Sequence, residues 1–356
     1  MMMKKLLFAI VVCCFGLNAY AQKPAGIDRY NQTWTSQSQN SSQSMPCGGG
    51  DIGLNVWVEK GELFFYIARS GTFDENNAML KLGRVRVKLS PNPFDGGDFK
   101  QQLILQNGSV SINGKNGQLS TQIKVWVDVF RPVIHVEMQS NQAVKTEAAF
   151  ESWRYKDRPV TGSEKNEGSW KFSPQKNIIT RKDQIAFADN RVLFYHHNLD
   201  STVFDATVKQ QAMDAVKAEM FNPLKNLTFG GTMRGANLQS AGTYTGKYVD
   251  TDFEGWKLQS KSAAKQQELT IYLNTTQTAS IAEWQTDLNK VVKDAETHQK
   301  TAWQKTADWW KQYWDRSFIY INPDKANNTA EWQTGKNYQL FRYMLGCNAY
   351  GQYPTN

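Results

Sequence analysis

"SMPCGGGDIGLNVWVEKGELFFYIA", Ser44 to Ala68, decides how the rest of the chain is read. Past three glycines, Ile52, Leu54, Val56 and Val58 alternate with Gly53, Asn55 and Trp57. After "EKGE" (59–62) Leu63, Phe65 and Ile67 share one face. A period of two on both arms of a glycine-containing turn is a β-hairpin. The glycines raise a further question. Gly48, Gly49 and Gly50 cost backbone entropy on folding, and one would suffice for a turn, so the corner predicts a close approach by another part of the molecule.

The same period continues for about two hundred residues. "KLGRVRVKLSPNPF" (81–94) alternates at Val85, Val87 and Leu89 until prolines stop it. "QQLILQNGSVSINGKNGQ" (101–118) carries two Asn-Gly turns, and "TQIKVWVDVF" (121–130) alternates at Ile123, Val125 and Val127. "PVIHVEMQ" (132–139), "NRVLFYHHN" (190–198), "NLTFGGTMRG" (226–235) and "QELTIYLNTT" (267–276) add strands. So many hairpins, most without a helical segment between them, predict a large antiparallel sandwich.

Near Thr278 the period changes. No proline or glycine interrupts 281–317, and Trp303, Ala307, Trp310 and Trp314 recur at helical spacing as one face. A strand-like "SFIYIN" (317–322) and a polar loop precede a last helical stretch. There Leu340, Tyr343, Met344 and Cys347 form an apolar stripe that is expected either to pack back on the β domain or to meet a further domain.

Upstream of all this, residues 22–43 are polar and without an apolar period. Residues 1–21 read as a cleaved secretory leader: Lys4 and Lys5, an apolar run from Leu6 to Leu17, then Ala19-Tyr20-Ala21. A lipidation site would need a small residue before Cys13 or Cys14, where Val12 and Cys13 stand. The expected location is therefore exported, periplasmic or extracellular. The 41 basic residues against 33 acidic are spread without a block, so nucleic acid is not an expected partner. No second apolar run spans a membrane. Outside the leader only Cys47 and Cys347 remain, either as free buried thiols or as one long-range bridge.

Motifs for cofactor or metal chemistry are not apparent, and none is expected. "GGGDIG" (48–53) precedes a strand instead of a helix, so it lacks the helix N-terminus that a phosphate needs. His196 and His197 are adjacent in a strand and point to opposite faces, one ring buried and hydrogen-bonded, the other toward solvent or a cleft. Three acidic pairs could be considered for acid–base work: Asp74 with Glu75, Asp95 with Asp98, and Asp250 with Asp252. All are read as structural, with "FDGGD" (94–98) a solvated turn. Trp153 and Arg154 in "ESWRYKDRP" (151–159) follow a strand and precede a loop, which places them toward a cleft.

Several of these segments resemble one enzyme architecture. "SMPCGGGDIGLNVWV" is similar to the Met-Pro-Leu-Gly-Asn-Gly-x-(Ile/Leu)-Gly opening of secreted glycoside hydrolases that join a β-supersandwich, through linker helices, to an (α/α)6 barrel. The α-L-fucosidases of glycoside hydrolase family ninety-five are the best-known of these, and a group of exported proteins carrying this N-terminal domain is more similar still. "RSGTFDENNAMLKLGRVRVKLSPNPF" (69–94), "NPLKNLTFGG" (222–231), "HQKTAWQKTADWWKQYWDRSFIYI" (298–321) and "YQLFRYMLGCNAYGQYPTN" (338–356) complete the match, which covers nearly the whole chain past the leader. Cys47 and Gly49 stand where the fucosidases carry Leu and Asn, so fucose specificity is not carried over.

The resemblance implies a supersandwich over 22–278, linker helices over 279–317, and over 318–356 a return strand and the first helix of a truncated barrel. It implies carbohydrate as partner, an intramolecular barrel holding the acid and base downstream, inversion by family precedent, and no catalytic residue within this chain. Asn356 would open the loop lining the sugar subsite nearest the cleaved bond, and Asp51 is a candidate substrate contact. Cys47, Gly48, Gly49 and Gly50 would face the barrel, His298 would make an interdomain hydrogen bond, and Trp303, Trp310 and Trp314 would line the seam. The alternative is a non-catalytic exported carbohydrate-binding or scaffold sandwich.

Overall fold

The computed structural model describes residues 26–170, 177–317, 319–322 and 327–351. The leader and Asn356 lie outside them. In chain order the strands are β1 (Gln32–Trp34), β2 (Met45–Gly49), β3 (Ile52–Glu59), β4 (Glu62–Arg69), β5 (Gly83–Ser90), β6 (Asp98–Ile104), β7 (Ser109–Asn116), β8 (Leu119–Val127) and β9 (Val133–Ser152). They continue as β10 (Arg158–Pro159), β11 (Ile179–Thr180), β12 (Gln184–Ala188), β13 (Arg191–His197), β14 (Leu227–Arg234), β15 (Leu238–Tyr248), β16 (Thr251–Ser260) and β17 (Ala264–Gln277). The helices are α1 (Val203–Gln210), α2 (Ile281–Asp315) and α3 (Ala330–Gly346).

The 20-residue β9 organises the molecule. Its first half pairs with β8 and β17, within a sheet ordered β1-β6-β7-β8-β9-β17-β14-β13-β12. Its second half pairs with β5 and β16, within a sheet ordered β2-β3-β4-β5-β9-β16-β15. Every pairing among these strands is antiparallel, and β10 and β11 form a small ribbon of their own. The alternation in the sequence supplies the facing surfaces: Leu63, Phe65, Ile67, Val85 and Ile123 are fully buried. Phe150 on β9 stacks on Phe194 of β13 at 3.9 Å across the gap. Gln101 Nε2 on β6 donates to the Val56 carbonyl at 3.0 Å, so even the buried amide is satisfied. The fold is the expected antiparallel sandwich.

Helix α2 is one 35-residue element capped by the Ser280 hydroxyl, where linker helices in the plural were expected. Its first half packs Trp284, Leu288, Val292 and Ala295 on Val133 and Tyr272, and its second half inserts Trp309, Trp310 and Trp314 into the main core. The buried stripe therefore corrects the expected one. Trp303 sits on its flank, half-buried, its ring meeting Trp126 edge-on and Lys124 Nζ lying 3.7 Å over it.

One further expectation fails. Residues 319–322 form no strand: side chains of α3 hold the segment instead, Gln339 Nε2 donating to the Ile319 carbonyl at 2.7 Å and Arg342 to the Ser317 carbonyl at 3.1 Å. Helix α3 turns its Tyr343–Cys347 stripe back onto the β domain, one of the two outcomes expected for it. Tyr343 is fully buried and Cys347 nearly so, while Phe341, Met344 and Leu345 stand 63%, 52% and 55% exposed on a second face.

Candidate functional site

Where β9 runs out, side-chain alternation sends Ser152 inward, Trp153 outward and Arg154 inward. Both inward residues grip Asp183. Ser152 Oγ donates to its Oδ2 at 3.1 Å, Arg154 Nε to its Oδ1 at 3.0 Å, and the Arg154 terminal nitrogen lies 2.8 Å from Oδ2. His196 of β13 carries the chain on: its Nδ1 is 3.2 Å from Asp183 Oδ1 and its Nε2 is 3.0 Å from Glu75 Oε2. The order is Arg154, Asp183, His196, Glu75, with charges alternating in sign and all four buried.

Burial alone would lower the His196 pKa, but hydrogen bonds to both carboxylates override it and push it up to about 9. Burial likewise opposes ionisation of Asp183, and Arg154 with His196 still holds it below its ordinary value. An imidazolium held between two carboxylates has no lone pair for a metal and is no general base near neutrality. Asp74 plays a different part. Its Oδ1 accepts from the backbone N–H groups of Asn76 (2.9 Å) and Ala78 (2.8 Å), shaping a turn, and burial raises its pKa.

Trp153 faces away from this network into a groove on the outer side of the second sheet. On one side lies a cavity of about 440 Å³, lined by Tyr66, Arg84, Glu151, Tyr248 and Phe253. On the other lies one of about 260 Å³, lined by Asp74, Met79, Trp170 and Ile178. Lys81, Trp153, Arg158 and Glu164 border both. The hairpin of β15 and β16 curls over this face. Arg84 bonds Glu151 at 2.5 Å, and its guanidinium lies 4.0 Å from the Tyr248 ring and 5.0 Å from that of Phe253.

The glycine corner is a second site. Gly48 pairs with Gly53 and Gly49 with Ile52, so the corner is strand up to a two-residue turn at Gly50-Asp51, with Gly50 at φ +64°. A Cβ on Gly48 would fall 2.9 Å from the Cys347 Cβ and 2.7 Å from the Ile52 carbonyl oxygen; one on Gly49 would fall 3.0 Å from the Val127 carbonyl oxygen. What sits against the corner is thus α3 on one side and β8 on the other. Trp310 stacks on Tyr343 at 5.1 Å, and Trp314 Nε1 donates to the Leu105 carbonyl at 2.6 Å. Cys47 and Cys347 are both free and buried. Burial pushes both thiols up, Cys347 to about 12.

Of the residues singled out from sequence, Cys47, Gly48, Trp310 and Trp314 meet within this chain, and Trp153 borders the groove. Arg154 lines the smaller cavity beside Trp153, as its place toward a cleft predicts, but is not free for a ligand, and Asp51 needs correction as a substrate contact. The first is 3% exposed and spent on Asp183, and the second is an ion-pair partner of Arg69 at 3.2 Å with 9% of its side chain exposed. Among the described residues His298 bonds within its own helix. Its Nδ1 lies 2.8 Å from the Asp294 carbonyl within α2. Asn356 falls outside the described residues. Asp183, Tyr66, Arg158 and Tyr248 were missed. For Asp183 no local pattern could have found it, because its partners come from two other segments, 152–154 and β13, whereas the Tyr66 position on the outward face of β4 was readable from the alternation.

Among solved structures the chain is similar to a putative kojibiose phosphorylase from the human microbiome, at 9% identity and a TM-score of 0.44, over 90% of this chain and 42% of that one. It is also similar to a bacterial glucoamylase complexed with acarbose, at 9% identity and a TM-score of 0.39, over 88% of this chain and 41% of that one. The chain thus spans about two fifths of the length of either. None of the curated proteins compared with it matches. Residues 33–319 match the N-terminal domain DUF5703_N, described as a domain of unknown function, and the chain belongs to that family.

Proposed function

We propose that this chain is the β-sandwich part of an exported carbohydrate-active enzyme that cleaves glycosidic bonds, with the acid and base carried by a helical barrel packed against α3. The observation that carries this reading is the double-sided α3. One face buries Tyr343 and Cys347 against the glycine corner, and the other presents Phe341, Met344 and Leu345 to solvent. A helix apolar on two sides belongs between two layers. The motif resemblance names the second layer as the barrel. The carboxylates here support it by elimination: Asp74 shapes a turn, and Glu75 and Asp183 hold His196, so none of these is free to flank a sugar bond.

The test is to express the reading frame continued past Asn356 beside residues 22–356 alone, and to assay both for reducing-sugar release from a panel of plant and host glycans. The longer chain is expected to be active and the shorter one inactive. Release of sugar by residues 22–356 would overturn the proposal, as would a continued frame without helical repeats.

A further inference from the structure

We propose that the groove on either side of Trp153 binds a neutral saccharide chain on this β-domain itself. The inference takes its ligand class from the carbohydrate reading above and goes beyond it in needing no residue outside the chain. A pyranose presents apolar C–H faces and a rim of hydroxyls, so a site for it needs exposed aromatic surface beside planar polar groups that both donate and accept.

The groove has these parts. Tyr66, Trp153, Trp170 and Tyr248 each remain half-buried, so that ring surface stays open in a β-domain whose core aromatics are sealed. Tyr66 and Trp153 meet at right angles, centroids 5.9 Å apart, which fixes two aromatic planes as adjacent walls. Trp153 and Tyr66 both line the larger cavity, and no hydrogen bond among the described residues takes up the indole N–H or the phenol hydroxyl. On the shared rim Arg158 and Glu164 form a two-point pair at 2.8 Å and 2.8 Å, 38% and 43% exposed, offering donors and acceptors together. The wall is tied down: Trp170 Nε1 donates to Asn76 Oδ1 at 2.9 Å, and Asn77 Nδ2 to Ser169 Oγ at 2.8 Å.

Charge selects a neutral ligand. The two linings carry near-balanced charge, Lys81, Arg84, Arg154, Arg158 and Lys165 with Asp74, Glu151, Glu164 and Glu167, and among the described residues no glycine-rich turn presents a fan of N–H groups there to a phosphate or carboxylate. Cavities of about 440 Å³ and 260 Å³ sharing one border suit a short run of sugar units better than a single small molecule.

The experiment is calorimetry and affinity electrophoresis of residues 22–356 with maltohexaose, cellohexaose, xylohexaose and, as the charged comparison, polygalacturonate. At least one neutral chain is expected to bind and polygalacturonate not to. Trp153→Ala should weaken binding about tenfold or more, the loss of one packed aromatic face. Arg158→Gln, on the exposed rim, should weaken it with unchanged circular dichroism and Tm, which keeps the test sound if Trp153→Ala misfolds. Phe221→Ala, at a 75% exposed aromatic outside the groove, should leave binding unchanged. Absence of binding to all three neutral chains, preference for polygalacturonate, or equal losses in the Phe221 variant would overturn the inference. A longer chain that cleaves glycans while residues 22–356 bind none would overturn the groove alone. Binding here without cleavage by the longer chain would overturn the barrel alone.

Discussion

Gly48 and Gly53 face each other across the β2–β3 hairpin, and they make opposite predictions for the same substitution. Neither has a positive φ, so alanine at either site restricts the unfolded chain and by that route stabilises by about 0.4–1 kcal/mol. At Gly53 nothing lies within 4 Å of the added Cβ, so Gly53→Ala should keep the whole gain. At Gly48 the Cβ would stand 2.7 Å from a backbone oxygen of β3 and 2.9 Å from the Cys347 Cβ, neither of which is the loose end of a side chain. Overpacking of this kind costs about 1–3 kcal/mol, so the net effect of Gly48→Ala is a loss of about 1–2 kcal/mol. In a chain this size one kcal/mol moves Tm by about 2 °C. Thermal unfolding of residues 22–356 should therefore show Gly53→Ala level with or slightly above the parent and Gly48→Ala about 2–4 °C below it. The substituted corner should also expose Cys347 to a thiol reagent, because α3 is what must move. Equal Tm values for the two variants, or an unreactive Cys347 in a destabilised Gly48→Ala, would refute the argument that α3 rests on this glycine.

Three other outcomes follow from the buried groups. The His196 pKa lies above its unfolded value, so its stabilisation is complete below pH about 6.5 and is lost as pH rises through about 9; it amounts to about 3 kcal/mol. Tm against pH should fall across that window in the parent, and His196→Gln should be flat there from a lower start. Trp310→Ala empties a fully buried site between Gly108 and Tyr343 and should cost about 3–5 kcal/mol, read as Tm. Cys47 and Cys347, their thiols raised by burial, should be silent to a disulfide reagent at pH 8 in the native protein and both react in denaturant; a native-state reaction would show that the seam opens.

What was legible in the sequence was whatever one strand or one helix decides by itself. Val85, Val87 and Leu89 had to face one way because the period is two, and the structure buries all three. The β15–β16 hairpin escaped because "LQSAGTYTGKY" is polar on both faces, its tyrosines packing against charges such as Arg86 and Glu151 instead of an oily core. Helix α1 has eight residues, too few for a period to declare itself. In α2 the tryptophan spacing was right, but Trp309 also takes a core position and turns the buried stripe away from Trp303. The four-charge network was beyond reach. Only His196 stands on a strand, while Glu75, Arg154 and Asp183 come from the connections around it, and tertiary packing of that kind is reported by no local pattern.

That network also explains how a strand end can present a fixed aromatic surface. Holding the proton on His196 stabilises the fold, but moving four charges into a protein interior costs desolvation of similar size, so the whole Arg154–Asp183–His196–Glu75 chain gains little over a well-packed apolar cluster in its place. What it does contribute is position. Ser152 and Arg154 stand on either side of Trp153, and both are fastened to one carboxylate, which His196 in turn fastens to β13. With its two chain neighbours fixed to a common anchor, Trp153 has only its own side-chain torsions left, and the edge of Tyr66 limits those. The saccharide site proposed above requires such a fixed aromatic plane, since a ring that turns loses its contact with a pyranose C–H face. Just beyond the end of β9, fixed inward neighbours are what can hold it there.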